Sequence, residues 1–296
     1  MGAFRATTGQ PSLSGKIIFM KIRLYSTGGL VIAMALLGFL GFGQVAEAQT
    51  GFSLGDATNF AIMDEGAGTD DLDMSGDTIT GSIGIGDPTG KTVTELELTG
   101  ATVTGNVDFA GAIDDSGTTS DTIKGTITAT DSTVTTDLNY LNNLSTTLGA
   151  ESGTSLSISR GTIETINASS GKLDASGNYV FNVSAFALNG DTLTINGQNL
   201  GHNVVINFTN AGINPDFTGS TILLTGGLTA STVLFNVADG DTLTLQGMTI
   251  NATFLDPTGA VNASGSTITG HVYGGGTSNS TYSGDTITDN AISPSK

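Results

Sequence analysis

One short pattern recurs along this chain more faithfully than any other: a small residue, Asp or Ser, Thr, an aliphatic residue, then usually Thr. It is clearest at Gly76-Asp77-Thr78-Ile79-Thr80 and looser at Gly100-Ala101-Thr102-Val103-Thr104. Further copies are Ser120-Asp121-Thr122-Ile123, Gly190-Asp191-Thr192-Leu193-Thr194, Gly219-Ser220-Thr221-Ile222 and Gly240-Asp241-Thr242-Leu243-Thr244. The last two are Gly265-Ser266-Thr267-Ile268-Thr269 and Gly284-Asp285-Thr286-Ile287-Thr288. Neighbouring copies lie about 20–30 residues apart, except between Thr122 and Thr192, and a period in that range is the mark of stacked coils.

The physics of one copy is simple. Alternate side chains of a strand face opposite ways, so the central Ile, Leu or Val points inward while the flanking threonines point out. Threonine is a good strand former through its β-branched carbon. The preceding Gly-Asp or Gly-Ser supplies a corner, where positive φ or a side-chain-to-backbone hydrogen bond is wanted. Val180, Val183, Leu223, Val233, Phe235, Val237, Leu245, Ile250 and Phe254 are further candidate inward positions. One coil cannot bury its apolar face alone, whereas stacked coils cover one another. The expected fold is all-β, a right-handed parallel β-solenoid (β-helix). A sandwich of short strands is the alternative, but it does not call for the same pentapeptide once per coil.

The gap between Thr122 and Thr192 holds the one convincing helix. Val134, Leu138, Leu141, Leu144 and Leu148 keep a helical spacing. Asp131, Ser132 or Thr133 can cap its start and Gly149 suits its end. The spacing predicts a helix near 131–149 packed by its apolar stripe along one side of the solenoid.

The amino terminus reads as an address. From Met20 come Lys21-Ile22-Arg23, an apolar run from Leu30 to Phe42, then Val45-Ala46-Glu47-Ala48 before Gln49. A positive n-region, an h-region and an A-x-A site make a secretory signal. Residues 1–48 are therefore expected to be the signal region, with the true start at Met20 and cleavage after Ala48, and 49–296 a single solenoid domain. Four of the nine basic residues (Arg5, Lys16, Lys21, Arg23) and one of the 27 acidic ones (Glu47) precede that site, so the remainder is more acidic still than the formal −18 of the whole chain. Such a charge argues against nucleic acid and anionic membrane surfaces as partners. With no cysteine, disulfides and thiolate chemistry are excluded.

Several stretches together resemble the choice-of-anchor A family of bacterial secreted and surface adhesive domains. They are Leu54-Gly55-Asp56-Ala57-Thr58-Asn59-Phe60-Ala61-Ile62, Tyr179-Val180-Phe181-Asn182-Val183-Ser184 and the block from Ile222 to Val237. The closing Thr253-Phe254-Leu255-Asp256-Pro257-Thr258-Gly259-Ala260-Val261 and Gly270-His271-Val272-Tyr273-Gly274-Gly275-Gly276 are the most specific. The resemblance spans about 52–292 and implies a secreted or cell-surface adhesin. More distantly, coils interrupted by one helix are similar to microbial ice-binding β-solenoids. The chain ends Ser293-Pro294-Ser295-Lys296 with no sorting motif, so release, or retention by another protein, is expected rather than covalent anchoring.

Catalytic chemistry is hard to find. His202 and His271 are the only histidines and neither sits in a nucleophile motif. Asp70, Asp71, Asp73 and the pair Asp114-Asp115 read as solvated turns rather than as carboxylates converging in a groove, as a polysaccharide-active enzyme would need. Asp70, Asp71, Asp73 and Asp77 lack the spacing of a calcium loop. Asn143, Asn167, Asn182, Asn207, Asn251 and Asn262 begin N-x-Ser/Thr triplets at the frequency that composition alone predicts. A non-enzyme without metal or cofactor is expected. The one feature with a sharp functional reading is the outward threonine array: Thr78, Thr80, Thr102, Thr104, Thr242, Thr244, Thr267, Thr269, Thr286 and Thr288. Thr pairs about 6.6–6.8 Å apart on rungs about 4.8 Å apart could meet an extracellular polysaccharide, a matrix protein or another surface, the adhesin-like role expected here, with ice binding as the alternative and a polysaccharide-active β-helix enzyme as the second.

Overall fold

Coil after coil, short strands pair in parallel with strands from neighbouring coils, and the computed structural model describes residues 51–66, 71–87, 94–114, 121–161, 164–276 and 279–289. All belong to one compact unit spanning Ala48–Lys296. The strands form three sheets of eleven, nine and six strands, one per side of the solenoid. The expectations for residues 1–48, Asp70 and Asp115 lie outside the described residues.

The coils are not stacked in chain order. The first coil comprises Phe60–Gly66, Asp71–Ser75 and Thr78–Thr80, one strand on each side. The next two coils build away from it in one direction and end at Ile127–Thr128, the edge of the eleven-stranded sheet. Helix α1, Ser132–Gly149, then leads to Thr154–Ile158 at the opposite edge of that same sheet. From there the coils build back, and the last one (Val272–Gly276, Ser280–Ser283, Thr286–Thr288) docks on the first. An 18-residue helix advances about 27 Å at 1.5 Å per residue, and rungs rise about 4.8 Å each. The helix therefore bridges most of the stack in one stroke.

Two cores result. Inside the solenoid, Ile79, Val103, Leu193, Ile222, Ile250, Ile268 and Ile287 form one inward column of the nine-stranded sheet, and Phe208, Phe217, Phe235 and Phe254 fill the middle. The second core lies outside the eleven-stranded sheet, where Val205, Leu234, Leu255 and Tyr273 meet Val134, Leu138, Leu141 and Leu148 of α1 together with Phe52 and Leu54. Where α1 packs, both faces of that sheet are thus covered, which is why strands such as Asn203–Phe208 and Val233–Val237 carry adjacent apolar residues rather than a strict alternation. Asp131 caps α1, its carboxylate accepting from Thr133 N–H at 2.9 Å.

Of the inward positions expected, Leu223 is the exception: it is 49% exposed. Ile222-Leu223-Leu224 is a run of three aliphatics on a strand. Ile222 takes the core side, so alternation turns Leu223 to solvent. Asp71 and Asp73 also depart from expectation, lying in the strand Asp71–Ser75 of the six-stranded sheet rather than in a turn.

Candidate functional site

The nine-stranded sheet is the side on which the pentapeptides converge. Its strands run Glu164–Asn167, Thr192–Asn196, Thr221–Thr225, Thr249–Asn251, Thr267–Thr269, Thr286–Thr288, Thr78–Thr80, Thr102–Val103 and Thr122–Ile123 in spatial order. Each strand's start is fixed by its corner. Gly76, Gly265 and Gly284 adopt φ of 72°, 61° and 68°, the left-handed conformation the turn requires. The next residue's side chain then accepts the corner N–H of the adjacent coil. Ser266 N–H donates to Asp285 Oδ1 at 2.6 Å, Asp285 N–H to Asp77 Oδ1 at 2.7 Å, and Ala101 N–H to Asp121 Oδ1 at 2.9 Å. These bonds pin the register rung by rung.

The outcome is an uninterrupted ladder. Thr192, Thr221, Thr249, Thr267, Thr286, Thr78, Thr102 and Thr122 are direct neighbours in that order. Two residues on, a second column contains Thr194, Leu223, Asn251, Thr269, Thr288 and Thr80. Thr104 extends its coil, with its N–H on Ile79 O at 2.9 Å, but its hydroxyl turns to accept Gly81 N–H at 3.1 Å. No residue of either column carries a carboxylate, in a chain of formal charge −18.

Eight of the ten threonines singled out from sequence therefore share one side. Thr242 and Thr244 do not. Their copy follows a different corner, and Leu243–Gln246 pairs with Val261–Ser264 in the six-stranded sheet. That coil reaches the threonine sheet later, at Thr249-Ile250-Asn251. Local pattern cannot say which of three corners a pentapeptide follows, and Gly247-Met248-Thr249, like the looser Gly100-Ala101-Thr102, lacks the polar residue that marks most copies. Thr122, Thr192, Thr194 and Thr221 lie in copies legible from sequence and complete the columns.

A profile of the ice-binding-like adhesive domain family matches residues 45–283. The chain belongs to that family. Among solved structures it is similar to an ice-binding protein from the Antarctic ascomycete Antarctomyces psychrotrophicus, at 19% identity and TM-score 0.55 over 81% of this chain and 99% of that one. It is also similar to ice-binding protein 1 of Shewanella frigidimarina (15%, TM-score 0.49, 80% and 97%). A glycosylated ice-binding protein from an Arctic yeast is a third (17%, TM-score 0.46, 82% and 96%). At these identities the likeness is one of fold. No curated protein matches the chain.

Elsewhere on the domain, polar groups serve its architecture. His202 Nδ1 lies 3.2 Å from Gly177 O and its ring meets Tyr179 edge-on. His271 is buried and bonded to Phe60 O at 2.8 Å. Asn182, Asn207 and Asn236 form a column on the helix side, donating to Glu151 O, Leu148 O and Ser145 O at 3.1, 2.8 and 3.0 Å. They also bond to one another, at 3.2 and 2.9 Å. The column thereby ties three strands of the eleven-stranded sheet to the C-terminal end of α1 and the residues just after it. Sequence gave no warning of this role beyond the repeated Phe/Ile-Asn-Val/Phe. Among the described residues, no three His, Asp or Glu side chains are arranged to hold a metal ion, and no helix is long and apolar enough to cross a membrane.

Proposed function

We propose that this domain is exported and adsorbs to ice through its threonine sheet. The observation that carries the reading is the eight-rung ladder. Threonines repeat at about 4.8 Å along the stack and about 6.7 Å across it, presenting methyl and hydroxyl groups on a regular grid. Such a grid can hold water in ordered positions, and the absence of carboxylates leaves that water free of strongly hydrated charges. The ice-binding protein of the Antarctic ascomycete, which has this fold, supports the same assignment. Thermal hysteresis and recrystallisation inhibition test it. Wild type is expected to be active, Thr78→Tyr within the ladder inactive, and Thr281→Tyr on the six-stranded sheet as active as wild type. Equal activity of both variants removes the threonine sheet from the account.

Adhesion to an extracellular polysaccharide is the second reading. Leu223 favours it, because an exposed leucine among threonines offers an apolar contact to the faces of sugar rings. Retention on insoluble polysaccharide, abolished by Leu223→Asp in a protein without hysteresis, would select it.

A further inference from the structure

Within Gly270-His271-Val272-Tyr273 both ring residues, His271 and Tyr273, are buried, and neither lies on the threonine sheet. Their place in the stack suggests why they are there. Elsewhere each strand of the threonine sheet continues through a corner into the next coil, as in Thr80-Gly81-Ser82-Ile83 or Thr269-Gly270-His271-Val272. Where the last coil meets the first, that continuity is missing. Thr288-Asp289 ends the last coil's strand, and the rung it would feed begins with Ala61-Ile62 of the first coil, since Ile62 pairs with both Val272 and Ile83. Ala61 Cβ and Asp289 Cβ each lie 2.8 Å from the point at which a side chain on Gly81 would start, so the two sides of the break are close neighbours.

His271 spans this break. Its Nδ1 is 2.8 Å from Phe60 O on the first coil. A carbonyl only accepts, so Nδ1 carries the hydrogen. Its Nε2 faces Asp289 Oδ1 of the last coil at 3.6 Å, a charge contact that attracts when the ring carries a hydrogen on both nitrogens. The ring stacks on Tyr273 at 5.5 Å, and Tyr273 Oη donates to Ala57 O at 2.8 Å, tying the last coil to the segment before the first. Asp289 N–H in turn donates to Thr80 O at 2.8 Å. The clasp therefore ends on the backbone of the two rungs that meet at the seam, Thr286/Thr288 and Thr78/Thr80.

We infer that His271 is a positioning residue, a non-covalent splice where the last coil meets the first, which keeps the two rungs of the threonine sheet on either side of that seam in register. Its consequence for ice binding rests on the function proposed above; its consequence for the seam does not. The experiment follows both. In His271→Ala, folded by circular dichroism, amide exchange at Asp289 and Thr78, which bond across the seam, should quicken about tenfold, equivalent to losing about 1.4 kcal/mol. Thr221, bonded to Asp191 O well away from the seam, should be unchanged, and thermal hysteresis should fall with the seam. Adding Ala61→Cys and Asp289→Cys to this otherwise cysteine-free chain gives one disulfide across the break. Oxidation should restore both readouts and reduction should abolish them again, a reversal that loss of core packing alone would not show. Unchanged seam exchange in His271→Ala, or an oxidised cross-link that restores nothing, overturns the inference. Seam effects without hysteresis in wild type leave the splice standing and remove ice as the ligand. Should His271→Ala not fold, His271→Gln, which keeps a donor for Phe60 O, is compared with the oxidised triple variant on the same amides.

Discussion

At the scale of single residues, what matters is which way a side chain faces on its strand. Ile222 and Leu223 are adjacent aliphatics with opposite fates, one in the core and one in solvent. Leu223→Thr should alter stability by less than about 0.5 kcal/mol. Ile222→Thr should cost about 2 kcal/mol or more by burying a hydroxyl without a partner; urea denaturation of the pair checks this. Charge is the other matter at this scale. Between Lys172 and Lys296 the chain contains no lysine or arginine. Burial pushes Asp256 up to about 9, the N–H groups of Gly259 and Leu243 offset this in part, and repulsion from Asp239 and Asp241 adds to it. Burial likewise raises Asp285 to about 6 against the N–H groups of Ser266 and Ser283. A carboxyl whose folded value lies above its unfolded one favours the fold while protonated, and that contribution is lost as pH rises through the folded value. The melting temperature should therefore climb as pH falls from about 9 to about 5, the reverse of ordinary acid destabilisation. Asp256→Asn should flatten the upper part of that slope.

At the scale of elements, the helix is the piece whose position needs explaining. Its apolar stripe and Asp131 cap were legible from spacing alone, because i, i+3 and i+4 periodicity and a capping carboxylate are local properties. Where it docks was not legible. That depends on Val205, Leu234 and Leu255, which belong to strands far away in sequence, and on three asparagines, two of which (Asn182 and Asn207) resemble chance N-x-Ser/Thr triplets until they are seen stacked. Asn207→Ala removes the donor to Leu148 O and breaks the asparagine column. Leaving those buried acceptors unpaired should cost about 1–3 kcal/mol. Exchange in the last turn of α1 should quicken more than exchange in the threonine sheet.

At the scale of the whole molecule, the sequence carried the repeat and the facing of most threonines, while the order of the coils stayed hidden. A pentapeptide encodes a corner, an inward aliphatic and outward threonines. It does not encode which corner of a coil it follows, hence Thr242 and Thr244 on the six-stranded sheet. Nor does it say which coil will be its neighbour, and the first coil lies between the second and the last. Stacking order is set by long-range fit: the helix that carries the chain across the stack, and the seam that joins its two ends. The threonine sheet is consequently a joint product of both ends of the chain.

That adjacency can be measured directly. Thr286→Cys with Thr78→Cys puts two thiols on facing residues of adjacent parallel strands, about 4.8 Å apart between backbones and within the reach of a disulfide. The account predicts near-complete oxidation to an intramolecular cross-link in the folded protein. Thr244→Cys with Thr78→Cys, placed on different sheets, should remain as free thiols. Free thiols in the first pair, or a cross-link in the second, would contradict a single threonine ladder running across the seam.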